Sequence, residues 1–260
     1  MIEKIKRWAD LHPYWFLAFV TIAALVPFLA KPFNIDDPLF IWSARQIRAH
    51  PLDPYGFNVE WGWTRFPMWQ VTENPPLAGY FIALASVFFG WGEIGLHLAF
   101  LLPAIALILG THRLAKNFCN RPALSAFVTL FAPVVMVSSL TVMCDVTMLA
   151  FWVWAVIFWM EGIEQEKAGK LAISGILIAA GEMTKYYGAC LMPLLAIHGL
   201  ASRRPFKDLS LPTSFSCSFE SFYSFVHPHQ SLPAAPDRLP TRFAILLAAD
   251  KSTQTRQRPD

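Results

Sequence analysis

The chain has 260 residues, of which 55% are hydrophobic and only 15% charged, with a net charge of +3. Soluble domains carry charge on about one residue in four, so one large water-soluble core is excluded. The few positive charges form no basic stripe and accompany no stacking-aromatic motif, which argues against a nucleic-acid partner.

The mean hydropathy is +0.42, and the apolar residues gather into blocks of membrane-spanning length between short charged stretches. That pattern predicts an all-α fold, a polytopic membrane helical bundle. Residues 14–30 form the first block, behind Lys4, Lys6 and Arg7. The block is too long and aromatic for a signal peptide, and Ala30-Lys31-Pro32 is a poor cleavage site. It reads as a retained first span with its N-terminus in the cytoplasm.

Residues 31–75 are polar and aromatic and read as an outer loop. Within it, residues 38–50 alternate apolar and basic side chains in a way that predicts an amphipathic helix lying in the membrane interface. Trp61, Trp63 and Trp69 suit the same headgroup depth. Residues 76–90 are apolar but short, open on two prolines, and end at Phe89-Gly90. They read as an interfacial or re-entrant helix on the outer face.

Residues 95–110 read as the second span, leading to a basic cytoplasmic segment at 112–121. Spans at 123–140, 146–160, 171–183 and 187–200 complete a set of six, with a charged cytoplasmic turn at 161–170. This register puts Asp36, Asp37, Glu73, Asp145 and Lys185 together on the outer face.

The pattern stops after Arg204. Residues 1–204 form a transmembrane module, and residues 205–260 are Ser- and Pro-rich, the composition of a disordered tail or of out-of-frame translation in a truncated chain. None of Cys119, Cys144, Cys190 and Cys217 forms a CxxC pair, so they read as small buried hydrophobes.

Each candidate site residue has two readings. Like charge raises one pKa of the Asp36-Asp37 pair, which suits a general base for a hydroxyl. Asp37 before Pro38 is also a good helix N-cap, the reading that spacing alone favours, and the two roles are not exclusive. Glu73, before Asn74-Pro75-Pro76, either caps a helix or accepts a hydrogen bond from substrate. Asp145 sits at the end of two apolar blocks, as a functional ionisable group or as an N-cap. Lys185 either meets a phosphate as a point charge or anchors a span at the interface beside Tyr186 and Tyr187. Arg45, Arg48, Arg65 and His97 are weaker candidates; Arg45 and Arg48 read as the polar face of an interfacial helix.

In this order, these elements resemble the GT-C glycosyltransferases that use polyprenyl-phosphate sugars. The resemblance rests on an Asp-Asp pair, a Pro-Pro-Leu element, a lone aspartate after a span, and Gly181-x-x-Thr184-Lys185-x-x-Gly188. The nearest group is that of the protein O-mannosyltransferases and aminoarabinose transferases. The resemblance implies that Asp36 or Asp37 acts as catalytic base, that Glu73, Asp145 and Lys185 bind substrate, and that transfer inverts the anomeric carbon. Where some members have a lysine after the acidic residue, this chain has Asn74.

A divalent metal serves some members of the wider class, but no ligand cluster that would fix one stands out here. The implied partners are membrane lipid, a polyprenyl-phosphate sugar donor, and an acceptor glycan, lipid or protein. The implied location is the bacterial inner membrane. The competing readings are a multi-pass transporter subunit and a non-catalytic membrane protein.

Overall fold

The computed structural model describes residues 3, 7–8, 11–72 and 74–202. The expectations for residues 205–260 therefore lie outside the described residues. Within them the fold is an all-α bundle with one short hairpin.

Helix α1 (Pro13–Leu25) continues as a 3-10 turn (Val26–Phe28). Pro27 has no amide to donate, so the regular helix cannot run on through it. After a connecting segment, α2 (Asp37–Ala49) forms where the amphipathic pattern predicts it. Its buried face holds Phe40, Ile41, Ala44 and Ile47, while Arg45 and Arg48 stay exposed.

Strands β1 (Asn58–Trp61) and β2 (Thr64–Pro67) then pair antiparallel, with Glu60 opposite Arg65. Their turn has positive φ at both Gly62 and Trp63, the conformation of a two-residue hairpin loop. Trp63 is fully exposed there, and left-handed backbone costs a bulky residue about 1–2 kcal/mol. The single turn α3 (Met68–Val71) follows.

Helix α4 (Leu77–Phe89) packs along α2. Together with α5 (Glu93–Ala115) they enclose Ala78, Ile82, Ala83, Leu96 and Phe100 over the α2 apolar face. At 13 residues, α4 is about 20 Å long, short of a bilayer core. Gly90 ends it at φ +76, and the chain turns so sharply that a Cβ on Gly95 would lie 2.1 Å from the Phe89 carbonyl oxygen.

The expected single span at 123–140 is divided. It consists of α6 (Pro122–Leu130) and α7 (Pro133–Ser138). Pro133 lacks an amide and holds Ala132 extended, at φ −62° and ψ 127°, so no helix crosses this point. Helices α8 (Asp145–Glu164), α9 (Ala168–Thr184) and α10 (Leu191–Ala201) complete the bundle, with a 3-10 turn (Tyr186–Cys190) before the last.

Among the described residues two helices, α5 and α8, are long and apolar enough to cross a membrane, where the sequence pattern predicts six spans; α1, α6, α7, α9 and α10 are shorter. Their packing is specific. The Trp154 indole donates to the Ala106 carbonyl at 2.9 Å, and the Ser174 hydroxyl to the Ala155 carbonyl at 2.8 Å. Large apolar side chains such as Leu102, Val128, Ile176 and Leu194 remain exposed along the bundle, as lipid-facing positions require.

The two ends of α8 differ. At its C-terminal end, Glu161 binds both Arg113 and Lys170. This ion triplet gathers the basic 112–121 segment and the charged 161–170 turn at one end of the bundle. The N-terminal end of α8, about 24 Å away along its axis, carries Asp145.

Candidate active site

Four chain segments meet at the Asp145 end. The first leads into α2. Asp36 takes the N-cap position by backbone geometry, with no side-chain hydrogen bond to the helix. It is half-buried, and no other described residue engages its carboxylate.

Asp37 is fully buried. Instead of capping its own helix, it accepts the Asn34 amide at 2.7 Å and the Val142 amide at 3.2 Å. The second bond reaches 105 residues along the chain and fastens the acidic segment to the entrance of α8. Burial pushes the Asp37 carboxyl above its ordinary value, against the lowering pull of those two amides.

His97 supports the same segment from α5. Its Nδ1–H donates to the Leu29 carbonyl at 2.9 Å, because a carbonyl can only accept. Phe33 meets the ring edge-on at 5.6 Å. Its Nε2 is buried without a partner among the described residues, a position that costs about 1–3 kcal/mol. From sequence His97 is a weaker candidate, a packed or hydrogen-bonded residue more often than a metal ligand, and nothing local in the pattern shows that its hydrogen bond holds the stretch leading to Asp36.

The third and fourth segments bring charge. Lys185 Nζ lies 2.5 Å from Asp145 Oδ1, with the two side chains 22% and 33% exposed. Burial presses Lys185 toward its neutral form, but the Asp145 carboxylate outweighs it and holds the ammonium above its ordinary pKa. Tyr187 adds its ring face 5.8 Å from the ammonium. An ammonium carries three donors, so the pair leaves Lys185 able to bind an anion while Asp145 fixes its position.

Local chain geometry explains the Gly-x-x-Thr-Lys-x-x-Gly spacing. The Lys185 backbone is extended, at φ −153° and ψ 136°, and α9 ends there. The chain then folds back, and the Gly188 amide donates to the Lys185 carbonyl at 2.7 Å. A Cβ on Gly188 would sit 2.4 Å from the Glu182 nitrogen, so only glycine fits. The Trp152 indole donates to the Gly188 carbonyl at 3.1 Å, and a Cβ on Gly181 would press on that indole at 3.3 Å. Thr184 is buried, its hydroxyl donating to the Ala180 carbonyl at 2.7 Å.

Glu73 lies outside the described residues. Its neighbour Asn74 accepts the Tyr55 hydroxyl at 2.6 Å through its carbonyl. Tyr55 in turn lies within electrostatic range of Cys144 and Tyr186. Burial pushes the Cys144 thiol up to about 12, which removes it as a nucleophile. Among the described residues, no group of three or more His, Cys, Asp or Glu side chains is placed to hold a metal ion.

Among the described residues, the site thus presents the unengaged Asp36 carboxylate and the positioned Lys185 ammonium at the same end of a membrane bundle. A model of the dolichyl-phosphate-mannose-protein mannosyltransferase family matches residues 73–215. The chain belongs to that family. It is therefore a membrane-integral glycosyltransferase-family protein of the GT-C type. No curated protein and no solved structure matches the chain. The family match takes in Asp145 and Lys185, begins at Glu73, and leaves Asp36 and Asp37 upstream.

Proposed function

We propose that this mannosyltransferase-family chain moves a sugar from a polyprenyl-phosphate donor to an acceptor hydroxyl, at the outer face of a bacterial inner membrane. The N-terminus then faces the cytoplasm. The supporting observation is the Lys185–Asp145 pair, held at the bundle end that also carries Asp36.

In the reaction, the acceptor oxygen attacks the anomeric carbon as the carbon–oxygen bond to phosphate breaks. The hydroxyl proton goes to Asp36, and the electron pair leaves with the lipid phosphate. Lys185 neutralises the charge growing on that phosphate, where a preorganised cation stabilises the transition state. Asp145 orients Lys185, and Asp37 holds the Asp36 segment in place. Attack opposite the leaving phosphate inverts the anomeric centre. Glu73 serves as a further polar contact to substrate.

The lipid tail explains why this chemistry belongs at a bundle end. A polyprenyl chain keeps the donor in the bilayer and its sugar at the surface, so base and cation must be held at that depth. Charges serving a transport pathway would instead lie near the midplane.

Membranes carrying the intact protein should move label from a polyprenyl-phosphate sugar into a glycan, lipid or protein fraction, with inverted stereochemistry. Label that remains wholly in the donor, in membranes whose other transferases are active, would overturn the assignment.

A further inference from the structure

A cleft of about 690 Å³ opens between α2 and the β1–β2 hairpin, outside the acid–lysine cluster. Trp42, Arg45 and Gln46 line it from α2; Asn58, Glu60 and Arg65 face it from the hairpin. The volume suits a ligand of one or a few sugar rings.

Its charges are unmatched. Arg48, one turn along α2, is committed to the Ser86 hydroxyl at 3.2 Å. Arg45 instead rests over the Trp91 ring at 5.3 Å, which orders the guanidinium without using its hydrogen-bond donors. Arg65 stands opposite Glu60 in the hairpin register, yet no ion pair joins them. Two guanidinium groups therefore face one carboxylate, and planar guanidinium forks match phosphate and carboxylate oxygens. Trp42 offers an aromatic face, and Gln46 and Asn58 offer amides for hydroxyl groups.

We propose that this cleft binds an anionic sugar of the acceptor, one carrying a phosphate or a carboxylate. The inference rests on the transferase reading, since α2 also carries Asp36 at its start. Arg45 lies about 12 Å along the helix from Asp37. An acceptor gripped there lies along the same helix that the base begins.

The test is binding to the full chain in lipid nanodiscs, followed by tryptophan fluorescence. The probes are a hexose phosphate, a hexuronate and the neutral hexose, each with its own titration. Both anionic sugars should bind at least tenfold more tightly than the neutral one. Arg45→Gln and Arg65→Gln should each remove about tenfold of that preference, and Glu60→Gln should increase it. Repeating the titration with the phosphorylated sugar on a lipid anchor separates the two sources of such a group. A gain over the soluble sugar marks a lipid-borne acceptor, and equal affinity marks a soluble one.

Equal binding of charged and neutral sugars would overturn the proposal, as would a preference that survives both arginine substitutions. So would displacement of the hexose phosphate by polyprenyl phosphate alone, because the cleft would then be a donor site. These readouts need no turnover. An inactive protein with the anion preference would sink the transferase reading, and an active one without it would sink the cleft.

Discussion

Asp36→Asn is expected to lower kcat for sugar transfer by about 10²–10⁴-fold, the range for losing a positioned general base, with little change in melting temperature. The reason is the difference between two adjacent carboxylates. Asp36 is half-buried and unengaged among the described residues, so asparagine removes its basicity and little else. Asp37 is buried, and its two oxygens each accept a backbone amide. In Asp37→Asn the side-chain amide must face one of those donors, leaving a buried group unsatisfied at a cost of about 1–3 kcal/mol. That variant should melt earlier, and its activity should fall through displacement of Asp36.

The two variants also differ in pH dependence. The folded-state pKa of Asp37 is raised by burial. Its contribution to stability is therefore fully present below the ordinary carboxylate value and is lost as pH rises through the raised pKa. Asp37→Asn should abolish that slope, and Asp36→Asn should leave it intact. Kinetics and thermal melts across the acidic range check both statements. Equal activity loss with equal melting loss in the two variants would mean that the pair acts only as a structural unit.

Lys185→Gln is expected to cost about 10²–10³ in kcat, as for other preorganised groups that meet transition-state charge. Donor KM should rise less, because the phosphate gains charge only as its bond to the sugar breaks. Asp145→Asn should have a smaller effect, about tenfold, since it loosens the ammonium without removing it. The double variant should resemble Lys185→Gln alone, because Asp145 acts through the lysine. Steady-state kinetics on the three variants decide this. Transfer within twofold of the parent chain in Lys185→Gln would reduce the lysine to an interface anchor beside Tyr187.

Local pattern carries much of this fold. The amphipathic repeat at residues 38–50 predicts α2, which runs Asp37–Ala49. The short apolar block at 76–90 yields α4, which packs on α2 as a helix too short to span. Pro133 shows the limit of hydropathy, because an apolar average over 123–140 hides the one residue that divides the helix. The hairpin is also hidden, since its turn is Gly62-Trp63 and no common turn pair marks it.

The site is legible as a set of residues but not as an arrangement. The N-cap reading of Asp37 follows from Pro38 beside it, whereas the decisive partner, Val142, is 105 residues away. The Lys185–Asp145 pair likewise joins positions 40 apart. The support from His97 reaches 68 residues back to Leu29. Such contacts depend on how helices pack, and periodicity along one helix contains no record of them. Gly188 is the intermediate case. Its spacing from Lys185 is visible in the chain, and its cause, contact with the Gly181 and Glu182 backbone, is not.

Everything chemical here requires Asp36 and Lys185 to share one side of the membrane, with the Glu161 ion triplet at the other end. The direct measurement is labelling of Asp36→Cys, Lys185→Cys and Lys167→Cys by a membrane-impermeant maleimide in oriented vesicles, in a background where Cys119, Cys190 and Cys217 are replaced by serine, since Cys119 and Cys190 are themselves exposed. Positions 36 and 185 are expected to react from the same side, and position 167 only from the opposite one. Labelling of positions 36 and 185 from opposite sides would contradict a shared active site.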